Sequence, residues 1–150
     1  MSDIYFEDIA EGTTRDVGSY TVSKEEMIAF SERYDPQPIH VDEEMASEST
    51  FGDIIASGWH TACLCMRLLV DEFLGEMASI GSPGLDELSW STPVYAGDTL
   101  TVENEILDTR LSESRDDRGY VRNQTRAYNQ DGDTVLSWIA TTIVLRRDSN

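Results

Sequence analysis

Apolar and polar positions change their period along this chain, and the changes mark its elements. Thr13 to Val22 reads as an extended stretch. Ser23-Lys24-Glu25-Glu26 then has the form of a capping box, and Met27, Phe30 and Tyr34 recur at i, i+3 and i+7. That spacing predicts a helix with one apolar face, ending at Asp35-Pro36. Asp42 caps a short second helix over Glu43-Glu44-Met45-Ala46. From Ser57 an apolar run (Ala62, Cys63, Leu64, Met66, Leu68, Leu69, Val70, Phe73) extends to near Gly75, apolar on nearly every side. It predicts a long central helix buried all round. After Gly81-Ser82-Pro83-Gly84 the pattern turns to strands over 85–91, 99–109, 120–129 and 134–145. The last has apolar residues on both alternations, as a strand covered on both faces does. Asp117-Arg118-Gly119 and Asn129-Gln130-Asp131-Gly132 supply turn chemistry for two hairpins. No internal repeat, low-complexity run or linker interrupts the pattern. A long helix with an antiparallel sheet around it is an α+β arrangement.

Two segments carry chemistry. Tyr34-Asp35-Pro36-Gln37-Pro38-Ile39-His40-Val41-Asp42 places a carboxylate and an imidazole in a proline-stiffened stretch. Each proline fixes its own φ and pushes Asp35 and Gln37 out of the α region, so a helix does not continue through it. On a straight polyproline path Asp35 and His40 would stand about 15 Å apart, from ~3.1 Å per residue, so the segment must bend for them to act together. A carboxylate and an imidazole brought to one water form a general acid/base couple that can add or remove water. The plain alternative is a helix-ending aspartate and a loop histidine. The second segment is Ala56-Ser57-Gly58-Trp59-His60-Thr61-Ala62, the entry to the central helix. Ser57 is a good N-cap, and the unpaired amides at a buried helix N-terminus, Gly58 N–H first, can hold a developing oxyanion. The plain alternative here is a capped core helix whose glycine permits close packing.

Together these residues resemble the MaoC-like dehydratases, the family that includes the R-specific enoyl-CoA hydratases. The family's hydratase motif, roughly Asp-x-Asn-Pro-x-His and then a small residue, is matched by Asp35-Pro36-Gln37-Pro38-Ile39-His40 followed by Ala46. Ser57-Gly58-Trp59-His60-Thr61-Ala62 is similar to its small-residue helix entry. Pro93-Val94-Tyr95-Ala96-Gly97-Asp98-Thr99-Leu100 is similar to its Pro-Val-x-x-Gly-Asp lead into a strand. The resemblance covers nearly the whole chain and implies a single hotdog domain over 1–150, an antiparallel sheet wrapped around a long central helix. It implies that Asp35 and His40 activate water and that Gly58 N–H binds a thioester oxygen. Gln37, Ser57, Trp59 and His60 are the candidate substrate-binding residues, weighed against a packed or helix-entry histidine, the favoured reading of His60, and against core or interface packing, the favoured reading of Trp59, Trp90 and Trp138. Two departures stand out: Gln37 occupies the usual Asn position, and Cys65-Met66-Arg67 stands where relatives carry a serine facing the site. The resemblance further implies reversible hydration of trans-2-enoyl-CoA to (R)-3-hydroxyacyl-CoA, with coenzyme A as the acyl carrier and no metal or redox cofactor. It implies a homodimer or higher even oligomer with the acyl tunnel at the subunit interface. A hotdog thioesterase, or a non-catalytic acyl-binding subunit, is the alternative.

Composition narrows the setting. At 150 residues the chain suits one domain. No stretch reaches the roughly 20 apolar residues of a membrane span, and Met1-Ser2-Asp3 opens no basic leader, which places the protein in the cytoplasm. Cys63 and Cys65, two apart on one helix, do not face each other, so they are read as small core residues without a disulfide. With two histidines far apart no zinc pattern exists. Net charge is −18, and Lys24 is the only lysine beside ten arginines. Such an excess repels itself in dilute buffer and is screened in molar salt, where the Debye length falls to about 3 Å. The composition therefore points to a salt-rich cytoplasm such as that of halophilic archaea. Nucleic acid is excluded as a partner for want of a basic footprint. Arg67, Arg122 and Arg126 are the cations considered for coenzyme A phosphates, with surface ion pairing as their alternative use.

Overall fold

A computed structural model describes residues 2–148. Strand β1 (Thr14–Thr21) leads to helix α1 (Lys24–Tyr34), the one-turn helix α2 (Pro38–Val41), the short α3 (Glu43–Glu48) and the central α4 (Gly58–Glu72). Four strands follow: β2 (Leu85–Ser89), β3 (Thr99–Leu111), β4 (Arg118–Tyr128) and β5 (Thr134–Leu145). The five form one antiparallel sheet in the order β1-β3-β4-β5-β2, which leaves β1 and β2 as its edges. The expected α+β arrangement is the one found.

Local chemistry accounts for the helix limits. Ser23 Oγ accepts from Glu26 N while Ser23 N donates to Glu26 Oε1, so two amides that the helix cannot satisfy are paired reciprocally. The chain leaves α1 at Asp35, where φ −151° and ψ 67° are no longer helical. The bend required of the proline segment is a helical turn: Pro38 occupies the first position of α2, where a missing N–H costs nothing. Asp42 Oδ1 accepts from Met45 N and caps α3.

The inner face of the sheet carries Leu100, Val102, Ile106, Val121, Ala127, Leu136, Trp138 and Val144, all buried against Cys65 and Leu69 of α4 and Met27 of α1. Full burial of one such aliphatic side chain is worth about 1.5–3 kcal/mol, which is what holds the helix inside the sheet. Strand β5 is buried on both alternations, as its sequence predicts.

Four expectations are corrected. Helix α4 is not covered all round: Trp59, Cys63, Met66 and Val70 are exposed along one side, while β1, α1 and β5 pack against the rest of the helix. Cys63 is therefore a surface residue, whereas Cys65 is core, its thiol pushed up to about 12 by burial. Tyr34 does not join the buried face of α1; it is 64% exposed and leans on Phe30, since α1 ends beside open solvent there. The β3–β4 connection runs through Ser112 to Asp117, and Arg118 and Gly119 already belong to β4. Gly119 is needed for closeness rather than for a turn, since a Cβ there would lie 2.3 Å from the Phe6 ring. Among the described residues no helix is long and apolar enough to cross a membrane.

Candidate active site

The end of α1, the turn of α2 and the start of α4 converge on one cavity of about 480 Å³. Asp35 reaches it because α1 stops there. Its Oδ1 accepts from Gln37 Nε2 at 2.7 Å and its Oδ2 from Ser57 Oγ at 2.7 Å. These hydrogen bonds, Gln37 first and then Ser57, hold the carboxyl below its ordinary range against the opposing effect of burial. Asp35 is therefore ionised at neutral pH.

His40, 5% exposed, lies across from it on α2. Its Nδ1 is 2.7 Å from the carbonyl oxygen of Ile55. A carbonyl only accepts, so Nδ1 carries the proton, and in the neutral ring Nε2 is bare. Nε2 stands 3.4 Å from Asp35 Oδ2. Two acceptors thus converge on the cavity with no donor between them, a geometry that suits a water giving one hydrogen to each. The proline segment does bring Asp35 and His40 together.

Ser57, fully buried, joins the two halves of the site. It donates to Asp35 and accepts from Trp59 N at 3.3 Å, so one hydroxyl orients the carboxylate and caps α4. Gly58 opens the helix and lines the cavity, and its N–H meets no acceptor among the described residues. It is aligned with the positive end of the α4 dipole.

Of the substrate-binding set, Gln37 and Trp59 line the cavity. Ser57 does not, and acts instead through Asp35. His60 does not either: it packs flat on Phe30 with ring centroids 4.9 Å apart, its Nδ1 buried without a partner. Burial lowers its pKa, with Glu26 acting weakly the other way, so the ring is a neutral core residue. The packed reading of His60 is the one the geometry favours, because the third residue of α4 points at α1. The three arginines are each engaged elsewhere: Arg67 with Asp71, Arg122 with Asp86, and Arg126 with Glu103 and Glu105. None of them lines the cavity.

Sequence reasoning missed the opposite wall, which is Phe51, Trp90, Ser91 and Thr92 with Pro93 and Val94. The available signal was the Pro-Val-x-x-Gly-Asp stretch that follows Trp90. That stretch is a brace: Asp98 Oδ2 accepts from Tyr95 N, and Val94 O accepts from Ala56 N at 2.9 Å, tying this wall to the entry of α4.

Comparisons with known proteins place the fold and the family. A solved MaoC-like dehydratase from Rhodospirillum rubrum superposes with a TM-score of 0.89 at 41% identity, covering 97% of this chain and 99% of that one, and shows the hotdog fold. The uncharacterized protein YdeM of Bacillus subtilis is 35% identical over 75% of this chain and 78% of its own length. The 3-hydroxybutyryl-CoA dehydratase of Methylorubrum extorquens is 32% identical over 70% of this chain and 65% of its own length. A halophilic archaeal source gains no support from these comparisons. Residues 6–128 match the MaoC like domain, and the chain belongs to that family.

Proposed function

We propose that this chain catalyses the reversible hydration of trans-2-enoyl-CoA to (R)-3-hydroxyacyl-CoA. The observation that carries the reading is the pairing of two acceptors, Asp35 Oδ2 and bare His40 Nε2 at 3.4 Å, in a cavity that also holds the free Gly58 N–H. The thioester oxygen would take the Gly58 amide, which stabilises the negative charge arriving there as water attacks Cβ. Asp35 and His40 would hold that water. Its hydroxyl forms the new bond to Cβ while the pair takes its proton, and the pair returns one proton to Cα, so its protonation is unchanged over the cycle. The proton belongs to the coupled pair rather than to either residue. The three catalytic groups need no metal or redox cofactor for this chemistry, and coenzyme A enters only as the acyl carrier. The R configuration follows the resemblance to the R-specific hydratases, and the Methylorubrum relative supports a short 3-hydroxyacyl-CoA as the substrate class. We further propose a homodimer working in a salt-rich cytoplasm.

Incubation with crotonyl-CoA in molar KCl tests the reading. Loss of the conjugated enoyl absorbance should accompany formation of (R)-3-hydroxybutyryl-CoA. Free thiol and crotonate would instead make the protein a thioesterase. Tight acyl-CoA binding without either product would make it a binding subunit.

A further inference from the structure

Gly58 supplies the amide that the proposed hydration needs, yet its backbone does not explain why it is a glycine, since it is not among the residues with positive φ. The explanation lies across the cavity. A Cβ placed on Gly58 would stand 2.5 Å from Cε2 of Trp90 and 2.7 Å from both Cδ2 and Nε1, far inside any real contact. The indole therefore lies directly on the Gly58 Cα. It also donates Nε1–H to the Gly58 carbonyl oxygen at 2.8 Å. Trp59 meets the same indole edge-on, with centroids 5.2 Å apart. Trp90 itself follows the last residue of β2, and a few residues later the chain is tied back to the helix entry through Ala56 N and Val94 O and through the Ile55–Tyr95 bridge.

We infer that Trp90 is a positioning residue: it clamps the first turn of α4 by stacking on Gly58 and by hydrogen-bonding its carbonyl, and position 58 is a glycine so that this indole fits. The inference rests on the hydratase reading for its catalytic meaning. A hydrogen-bond donor aimed at developing charge accelerates a reaction only while its aim is fixed beforehand. The first turn of a helix is where backbone groups lack intrahelical partners and fray most readily. Gly58, lacking a side chain, would make that turn looser still without an external hold. The indole provides it from the neighbouring strand end, and the Gly58 amide keeps no protein acceptor beside the cavity that both residues line.

The test uses Trp90→Leu, Trp90→Phe, Gly58→Ala and the double variant Gly58→Ala/Trp90→Leu, each checked for folding by circular dichroism in molar KCl. Because Trp90 is 42% exposed, its replacement should leave the core intact. For crotonyl-CoA hydration, kcat should fall about tenfold or more in Trp90→Leu while KM changes less than about threefold, with Trp90→Phe in between because it keeps a ring and loses the donor. Gly58→Ala should fall by about 10² or more, and the double variant should exceed it at least about fivefold, since the obstruction has gone. Amide hydrogen exchange at Trp59, His60 and Thr61, whose N–H groups bond Ser57, followed by NMR, should quicken in Trp90→Leu whether or not the enzyme turns over. Unchanged exchange with wild-type kcat in Trp90→Leu, or a double variant no faster than Gly58→Ala, would overturn the positioning role. Absence of hydratase turnover in the wild type, with exchange still altered, would instead remove the functional reading and leave the clamp.

Discussion

Asp35 is held ionised by Gln37 and Ser57, and His40 is held in one tautomer by Ile55 O, so either member of the pair can be removed singly while the other keeps its partners. Asp35→Asn and His40→Gln keep size and polarity, and should lower kcat for enoyl-CoA hydration by at least about 10² with folding preserved. The double variant should lose little more than either single, because groups acting as a unit are non-additive. A folded single variant at near wild-type rate would show that the pair is not catalytic. The second histidine makes a different demand. Burial lowers the pKa of His60 in the folded protein, so the unfolded chain binds its proton first. Its contribution to stability is whole above the unfolded value of about 6.5 and is lost as pH falls from there through the lower folded value. The melting temperature should therefore begin to drop as pH falls below about 6.5, and His60→Leu should flatten that drop; equal slopes in the two proteins would contradict the assignment. Asp35, also lowered, makes its loss only further down, below the ordinary carboxylate range. His40 and Asp35 were readable in the chain because six consecutive residues bring them together. Trp90 was not, since its contact with Gly58 joins positions 32 apart that only the fold makes neighbours.

Elements whose limits depend on adjacent residues were legible: the capping box at Ser23, the cap at Asp42, the end of α1 before Pro36, and the strands that alternate. What a single apolar run cannot reveal is which side of a helix finds a partner. In α4 the exposed Trp59, Cys63, Met66 and Val70 follow one another at spacings of four, three and four, so they form one stripe. Met66 and Val70 share a cavity of about 360 Å³ with Leu85 of β2, and Trp59 touches Trp90 just beyond that strand. An apolar stripe therefore runs beside an unpaired sheet edge, which are the two features a second copy would cover together. Light scattering in molar KCl should give a dimer or a multiple of one, and Met66→Glu with Val70→Glu should shift it toward monomer. A fully active wild-type monomer would refute the pairing.

At the scale of the molecule the acidic excess decides behaviour more than any one ion pair. Arginines 67, 118, 122, 126, 146 and 147 each face a carboxylate, so salt weakens those contacts, yet 29 acids against 11 bases leave many carboxylates without a basic partner. Repulsion is the larger sum, and screening it should stabilise the fold. Lowering salt from about 1 M to 0.1 M, where the Debye length grows to ~10 Å, should reduce both melting temperature and activity. An unchanged melting temperature would refute adaptation to salt. One cluster of those pairs also bears on the order in which the chain can be strung. Arg147 binds Asp8 at 2.6 Å and Arg146 binds Glu7, so the first and last turns of the described chain lie side by side. The exposed β3–β4 connection, by contrast, sits at the far end of β4 from the Val135 wall of the cavity. A circular permutant with the old ends joined by a short flexible linker and new ends opened at Glu113 should fold and keep its kcat, because no catalytic contact crosses the cut. What the proposed hydration requires is the meeting of the end of α1, the turn of α2 and the start of α4, and the direction in which a ribosome reaches them is free to change.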